Sequence, residues 1–116
     1  MNGEDRTRQY LEDIVTNCEM AARLVERGRE AFTADEMLQA AAAHVLTQCG
    51  EDVRRIDDAS QDFVSSHPDL ELRDLKNARN FMVHEYDDVS PDVLWEILEL
   101  DLPRVCHQIL LFLSGT

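Results

Sequence analysis

The feature that most limits what this chain can become is a long apolar stripe with the period of a helix. From Leu38 through Ala41, Val45, Cys49 and Val53 to Ile56, apolar side chains return every three or four positions, and Phe63 follows two turns further on. That spacing lines one face of an α-helix, and a stripe of this length would run ~45 Å unbroken. A face that long needs partners of the same kind. The alternative of an all-β sandwich needs a turn about every 8–12 residues, and the chain has only 4 Gly and 3 Pro in 116 residues. No segment shows sustained strand alternation.

Three further segments read the same way. Over residues 4–29, Tyr10, Leu11, Ile14, Val15, Cys18, Ala22 and Val25 form a stripe, and Gly28 sits where a helix would end. The next start carries Thr33 and Glu36 as a capping box, with Phe32 and Met37 as a hydrophobic staple. Gly50 lies midway along the second stripe. Glycine costs about 1 kcal/mol in a helix interior relative to Ala, so this one marks either a bend or a close helix–helix approach. Residues 65–68 end the element, and a shorter helix follows over residues 70–84. Ser90 then caps a fourth, with Pro91 at its first position, where the missing N–H costs nothing. Its stripe is Leu94, Ile97, Leu98, Asp101, Val105, Ile109 and Phe112; Pro103 lies inside it and should kink or break it. The expected architecture is all-α: an antiparallel bundle of four to five helices, in one domain over residues 1–116.

Charge narrows the function. Lys+Arg number 11 against 24 Asp+Glu, a net charge of -13. This argues against broad, non-specific binding to nucleic acid, which draws on surplus cations. No apolar run approaches the ~18 residues of a membrane span, and the N-terminus has no apolar stretch of a secretory signal. Cys18, Cys49 and Cys106 are odd in number, far apart and set in apolar stretches. They read as buried reduced thiols of a cytoplasmic protein.

The segment that carries chemistry is residues 76–88. Arg79 is followed after four residues by His84, and after one more by Tyr86. On a helix at ~100° per residue, Asn80 and His84 share a face, as do Arg79 and Tyr86. If the helix ends near His84, the grouping is looser. A structural reading is also open, because Arg and His near a helix C-terminus complement its dipole.

With its flanks the segment resembles the HEPN superfamily, and within it the HepT-like toxins. The resemblance rests on Arg79, Asn80, His84, Glu85 and Tyr86. It is reinforced by Gly50-Glu51, by His67-Pro68-Asp69 and by the segment 89–95. It spans about residues 10–113. It implies an all-α homodimer whose two motif copies face one cleft, and a metal-independent endoribonuclease that needs no cofactor. It also implies a toxin–antitoxin pair, in which an MntA-like minimal nucleotidyltransferase transfers AMP from ATP onto the motif tyrosine, here Tyr86. The substrate would be an RNA such as tRNA or mRNA.

The residue types suit that chemistry. A His near neutral pKa can take the 2′-OH proton. An Arg can stabilise charge building on the phosphoryl oxygens. Asn80 would orient His84 or bond the phosphate, and Arg73 and Lys76 would add RNA contacts. AMP on Tyr86 would bring bulk and negative charge against RNA entry. His44 reads as a helix-surface or partly buried structural residue, His67 sits in a turn before Pro68, His107 follows Cys106 on the last helix, Trp95 reads as packing, and no His pair has metal-ligand spacing with a carboxylate set. Glu85, Asp87 and Asp88 read as a solvated face.

The local charge opposes a simple RNA groove. Residues 67–90 carry Arg73, Lys76 and Arg79 against six acids, net -3. Only a cluster of Arg54, Arg55, Arg73, Lys76 and Arg79, doubled across a dimer, would hold RNA. The competing reading is a non-catalytic HEPN helical subunit that binds and assists a nucleotidyltransferase.

Overall fold

The stripe of the first segment becomes the inner face of helix α1 (Gly3–Val25) in a computed structural model that describes residues 2–115. Leu11, Ile14, Val15 and Cys18 are buried along it. Ala21 joins them in place of the expected Ala22, which faces solvent. The Asn2 side chain caps this helix by accepting from the Asp5 N–H at 2.8 Å. The helix stops at Val25, earlier than residue 29, and the chain turns through Gly28 at φ +88°. Glycine takes that conformation without steric penalty.

The expected capping box does not form. Residues Arg29–Ala34 make a short helix of their own, α2, and Thr33 Oγ1 donates back to the Arg29 carbonyl at 3.0 Å. The cap of the next helix, α3 (Glu36–Ala59), is Asp35: its backbone is extended and its carboxylate accepts from the Met37 N–H at 2.8 Å. Nor is there a staple, since Phe32 is fully buried while Met37 is 81% exposed. Helix α3 also ends earlier than its stripe suggests. Ser60 leaves the helical conformation, and its hydroxyl meets Thr7 Oγ1 at 2.7 Å on α1. Phe63 therefore belongs to a separate turn of helix, α4 (Phe63–Ser66).

Pro68–Leu70 form a 3₁₀ turn, and Glu71 takes φ +56° before α5 (Leu72–Glu85) begins. After a second 3₁₀ turn, Tyr86–Asp88, Ser90 accepts from the Val93 N–H at 3.1 Å and starts α6 (Pro91–Glu96), with Pro91 at its first turn. Pro103 does not break the rod. One π turn, Ile97–Asp101, widens the helix just ahead of it, and α7 (Leu102–Gly115) continues. A wider turn suits a proline whose ring collides with the carbonyl four residues back. Asp101, expected on the apolar stripe, is exposed and pairs with Arg104 at 3.2 Å.

The result is all-α, with no strand among the described residues. Four rods (α1, α3, α5 and α6–α7) carry the bundle. Helix α3 lies between α1 and α5, and α7 packs on α1. The core between them is filled by Leu11, Ile14, Leu46, Ile56, Leu98 and Ile109. Trp95 is buried against Phe32, ring centroids 5.5 Å apart. No helix among the described residues is long and apolar enough to cross a membrane.

The three cysteines, distant in sequence, converge from α1, α3 and α7 and are all free. Cys18 and Cys49 are buried; Cys106 is half-buried, against the expectation of three buried thiols. The neighbouring Cys49 thiol and then burial push the Cys18 thiol up. Burial, followed by Cys18, pushes Cys106 up to about 12.

Candidate functional site

Helix α5 owes its orientation to Leu72, Leu75 and Met82, which are buried. Arg73, Asn80 and His84 consequently sit on its exposed sides. Arg79 occupies the boundary, where α5 crosses α3, and Gly50 makes that crossing possible. A Cβ at position 50 would collide with Cβ of Arg79, lie 2.7 Å from its Cγ and stand 3.0 Å from the Leu75 carbonyl oxygen. Of the two explanations for a glycine inside α3, close approach is the one realised.

The next residue on α3 completes the arrangement. Glu51 Oε1 lies 2.8 Å from Nη2 of Arg79, with the two side chains 21% and 27% exposed. Nη1 of Arg79 donates to Asn80 Oδ1 at 3.1 Å. Nε is buried and meets no acceptor among the described residues. The guanidinium is thus fixed by α3 on one side and by its own neighbour on the other. Sequence reasoning did not assign Glu51 this role. The signal was the glycine beside it, which announces a close approach without saying what approaches.

His84 stands in the last turn of α5, exposed, and makes no hydrogen bond among the described residues. It lies five positions on from Arg79, which on a helix is about 140° of rotation and ~7.5 Å of rise. Tyr86 lies beyond the helix. Glu85 departs to φ -128°, so the shared face of Arg79 and Tyr86, which needs a continuous helix, is not formed. The phenol is 38% exposed. It lines a depression of about 410 Å³ with Glu36, Gln39, Asp87 and Val89, between the starts of α3 and α6. The other tyrosine, Tyr10, packs against the core.

The cluster of cations is largely occupied. Lys76 Nζ lies 3.0 Å from Asp57, Arg55 2.8 Å from Asp52 and Arg54 4.0 Å from Glu51. Of the five cations named as RNA contacts, Arg73 alone has no ion pair among the described residues. Glu85, Asp87 and Asp88 face solvent. His67 is held in the fold: its Nδ1 lies 2.8 Å from the Phe63 carbonyl oxygen and its ring stacks on Phe63. His44 and His107 are exposed.

Comparison with known proteins bears on this site. The family described as "Ribonuclease HepT-like" matches residues 14–110. A protein of Thermococcus cleftensis named "Probable ribonuclease HepT" is 31% identical over 84% of this chain and 87% of its own length. One from Caldanaerobacter subterraneus subsp. tengcongensis, named "Putative RNase", is 28% identical over 88% of this chain and 89% of its own. No solved structure matches at a significant level. The matched span runs from within α1 to within α7 and takes in the Arg79–His84 segment. A helical chain with this segment and this match over most of its length belongs to the HepT-like ribonuclease family.

Proposed function

We propose that this protein is a metal-independent endoribonuclease toxin of a toxin–antitoxin pair, with Arg79 and His84 as its reacting groups. The observation that carries the reading is their contrast. Arg79 is anchored at 2.8 Å to Glu51, whereas His84 is exposed and free of hydrogen bonds among the described residues. An anchored guanidinium suits charge stabilisation and an open imidazole suits proton transfer. The 2′-OH oxygen attacks the adjacent phosphorus as His84 takes its proton. The P–O5′ bond breaks, a proton returns to the 5′ oxygen, and a 2′,3′-cyclic phosphate remains.

The cleft needs two copies of the chain. Arg79 and His84 point about 140° apart on one helix, and a two-fold axis supplies a base and an acid from identical residues. Phe81 and Val83, 42% and 49% exposed beside the motif, are suited to such a contact. Control falls to an MntA-like nucleotidyltransferase that moves AMP from ATP onto the exposed Tyr86. The phenol oxygen attacks the α-phosphorus, pyrophosphate leaves, and the phenolic proton goes to solvent.

The second reading, a non-catalytic subunit assisting a nucleotidyltransferase, is favoured by the net charge of -13 and by the ion pairs that occupy Lys76, Arg54 and Arg55. Expression of the chain with and without the partner separates the two. The toxin reading expects growth arrest without the partner, relief with it, and an AMP mass increase on Tyr86. Normal growth with the unpartnered wild-type chain favours the subunit. An adduct on a residue other than Tyr86 removes the assignment of the tyrosine.

A further inference from the structure

We infer that Glu51 is a positioning residue for Arg79, and that Gly50-Glu51 on α3 is a cradle that sets the direction of the guanidinium; this rests on the ribonuclease reading of Arg79. The cradle has two parts. Gly50 lets the stem of Arg79 lie directly on the α3 backbone, where any Cβ would collide with it. Glu51 then takes one N–H of Nη2 at 2.8 Å, and Asn80 takes one N–H of Nη1 at 3.1 Å.

The donors left over explain why such a cradle would matter. A guanidinium has five N–H groups in a rigid plane. Nε is buried and lies out of reach of a ligand. With one N–H of each terminal nitrogen used, one remains on Nη1 and one on Nη2. Those two are the donors left to meet phosphoryl oxygens. An arginine without the cradle would spread over several rotamers and lose that fixed direction.

The carboxylate also has a cost. Its negative charge offsets the cation that must attract RNA, so orientation is gained against ground-state affinity. The two effects separate in substitutions. Glu51→Gln keeps an oxygen acceptor for Nη2 and removes the charge. Glu51→Ala removes both.

The test is steady-state cleavage of a fluorescent RNA by the purified full chain, as wild type, Arg79→Ala, Glu51→Ala and Glu51→Gln. Misplacement of a group by about 1 Å can cost ~10²-fold in rate. Glu51→Ala should lower kcat by about 10–100-fold. Glu51→Gln should keep kcat within about threefold of wild type and lower KM, since the acceptor is retained and the opposing charge is gone. A wild-type kcat in Glu51→Ala overturns the inference. So does an equal loss of kcat in Glu51→Gln and Glu51→Ala, which would mark the ion pair as structural. A wild type no more active than Arg79→Ala overturns the ribonuclease reading itself, and this inference with it.

Discussion

Gly50 and Arg79 touch backbone to stem across the α3–α5 crossing, with no room for a Cβ between them. Alanine is the better helix former by about 1 kcal/mol, so propensity alone favours Gly50→Ala. Overpacking a close contact costs typically 1–3 kcal/mol. Here the obstruction includes the Leu75 carbonyl, which is backbone and cannot swing aside. We expect Gly50→Ala to lower the melting temperature, which a thermal melt by circular dichroism checks. A rise in melting temperature would mean that α5 moves freely over α3.

Asp35 caps α3 in place of the expected Thr33–Glu36 pair. Losing an Asp cap costs about 0.5–2 kcal/mol. Asp35→Ala should therefore destabilise the fold by about that amount in urea unfolding. Glu36→Ala, which removes no cap, should be within about 0.5 kcal/mol of wild type.

Asp52 is almost fully buried, and its carboxyl is pushed up from the ordinary value of 3.8, chiefly by burial, against the lowering effect of its hydrogen bond from Arg55. A carboxyl raised in the folded state holds its proton more tightly there than in the unfolded chain. Its charge therefore adds no penalty below pH 3.8, and the penalty develops as pH rises through 3.8 to the folded value, then stays constant. Asp52→Asn carries no such charge. Its melting temperature relative to wild type should rise over that window and level off above it. Melts from pH 3 to 7 check this, and a difference independent of pH would contradict it.

Cys106 is the half-buried member of the thiol cluster and is pushed up to about 12 from 9.0. The thiolate is the reacting form. At pH 8 the fraction ionised is then ~10³-fold below that of an ordinary thiol, and alkylation should slow in proportion. Intact-mass kinetics with iodoacetamide on the folded protein check it. Modification of Cys106 at the rate of a free peptide thiol would contradict the shift.

The helical class and the four rods were legible in the stripes, because burial on one face leaves a periodic record in the sequence. The Ser90–Pro91 start was legible too, since a cap is local chemistry. The Thr33–Glu36 start was misread because Asp35 is an equally good cap, and Phe32 is drawn into the core by Trp95, a partner distant in sequence. The reach of α3 was overestimated because Ser60 finds its partner on α1. The Arg79–His84–Tyr86 spacing located the candidate site, but the ending of α5 at Glu85 and the hold of Glu51 on Arg79 are tertiary facts. They depend on how α3 and α5 cross, which no spacing along one helix records.

The most direct measurement is the chemistry of RNA ends left by the purified wild-type chain in the presence of EDTA. The account predicts fragments with 2′,3′-cyclic phosphate and 5′-hydroxyl ends. In His84→Ala their formation should fall by about 10²–10⁴-fold, with helical content and melting nearly unchanged. Intact RNA, cleavage that vanishes in EDTA and returns with Mg²⁺, or full activity in His84→Ala would contradict it.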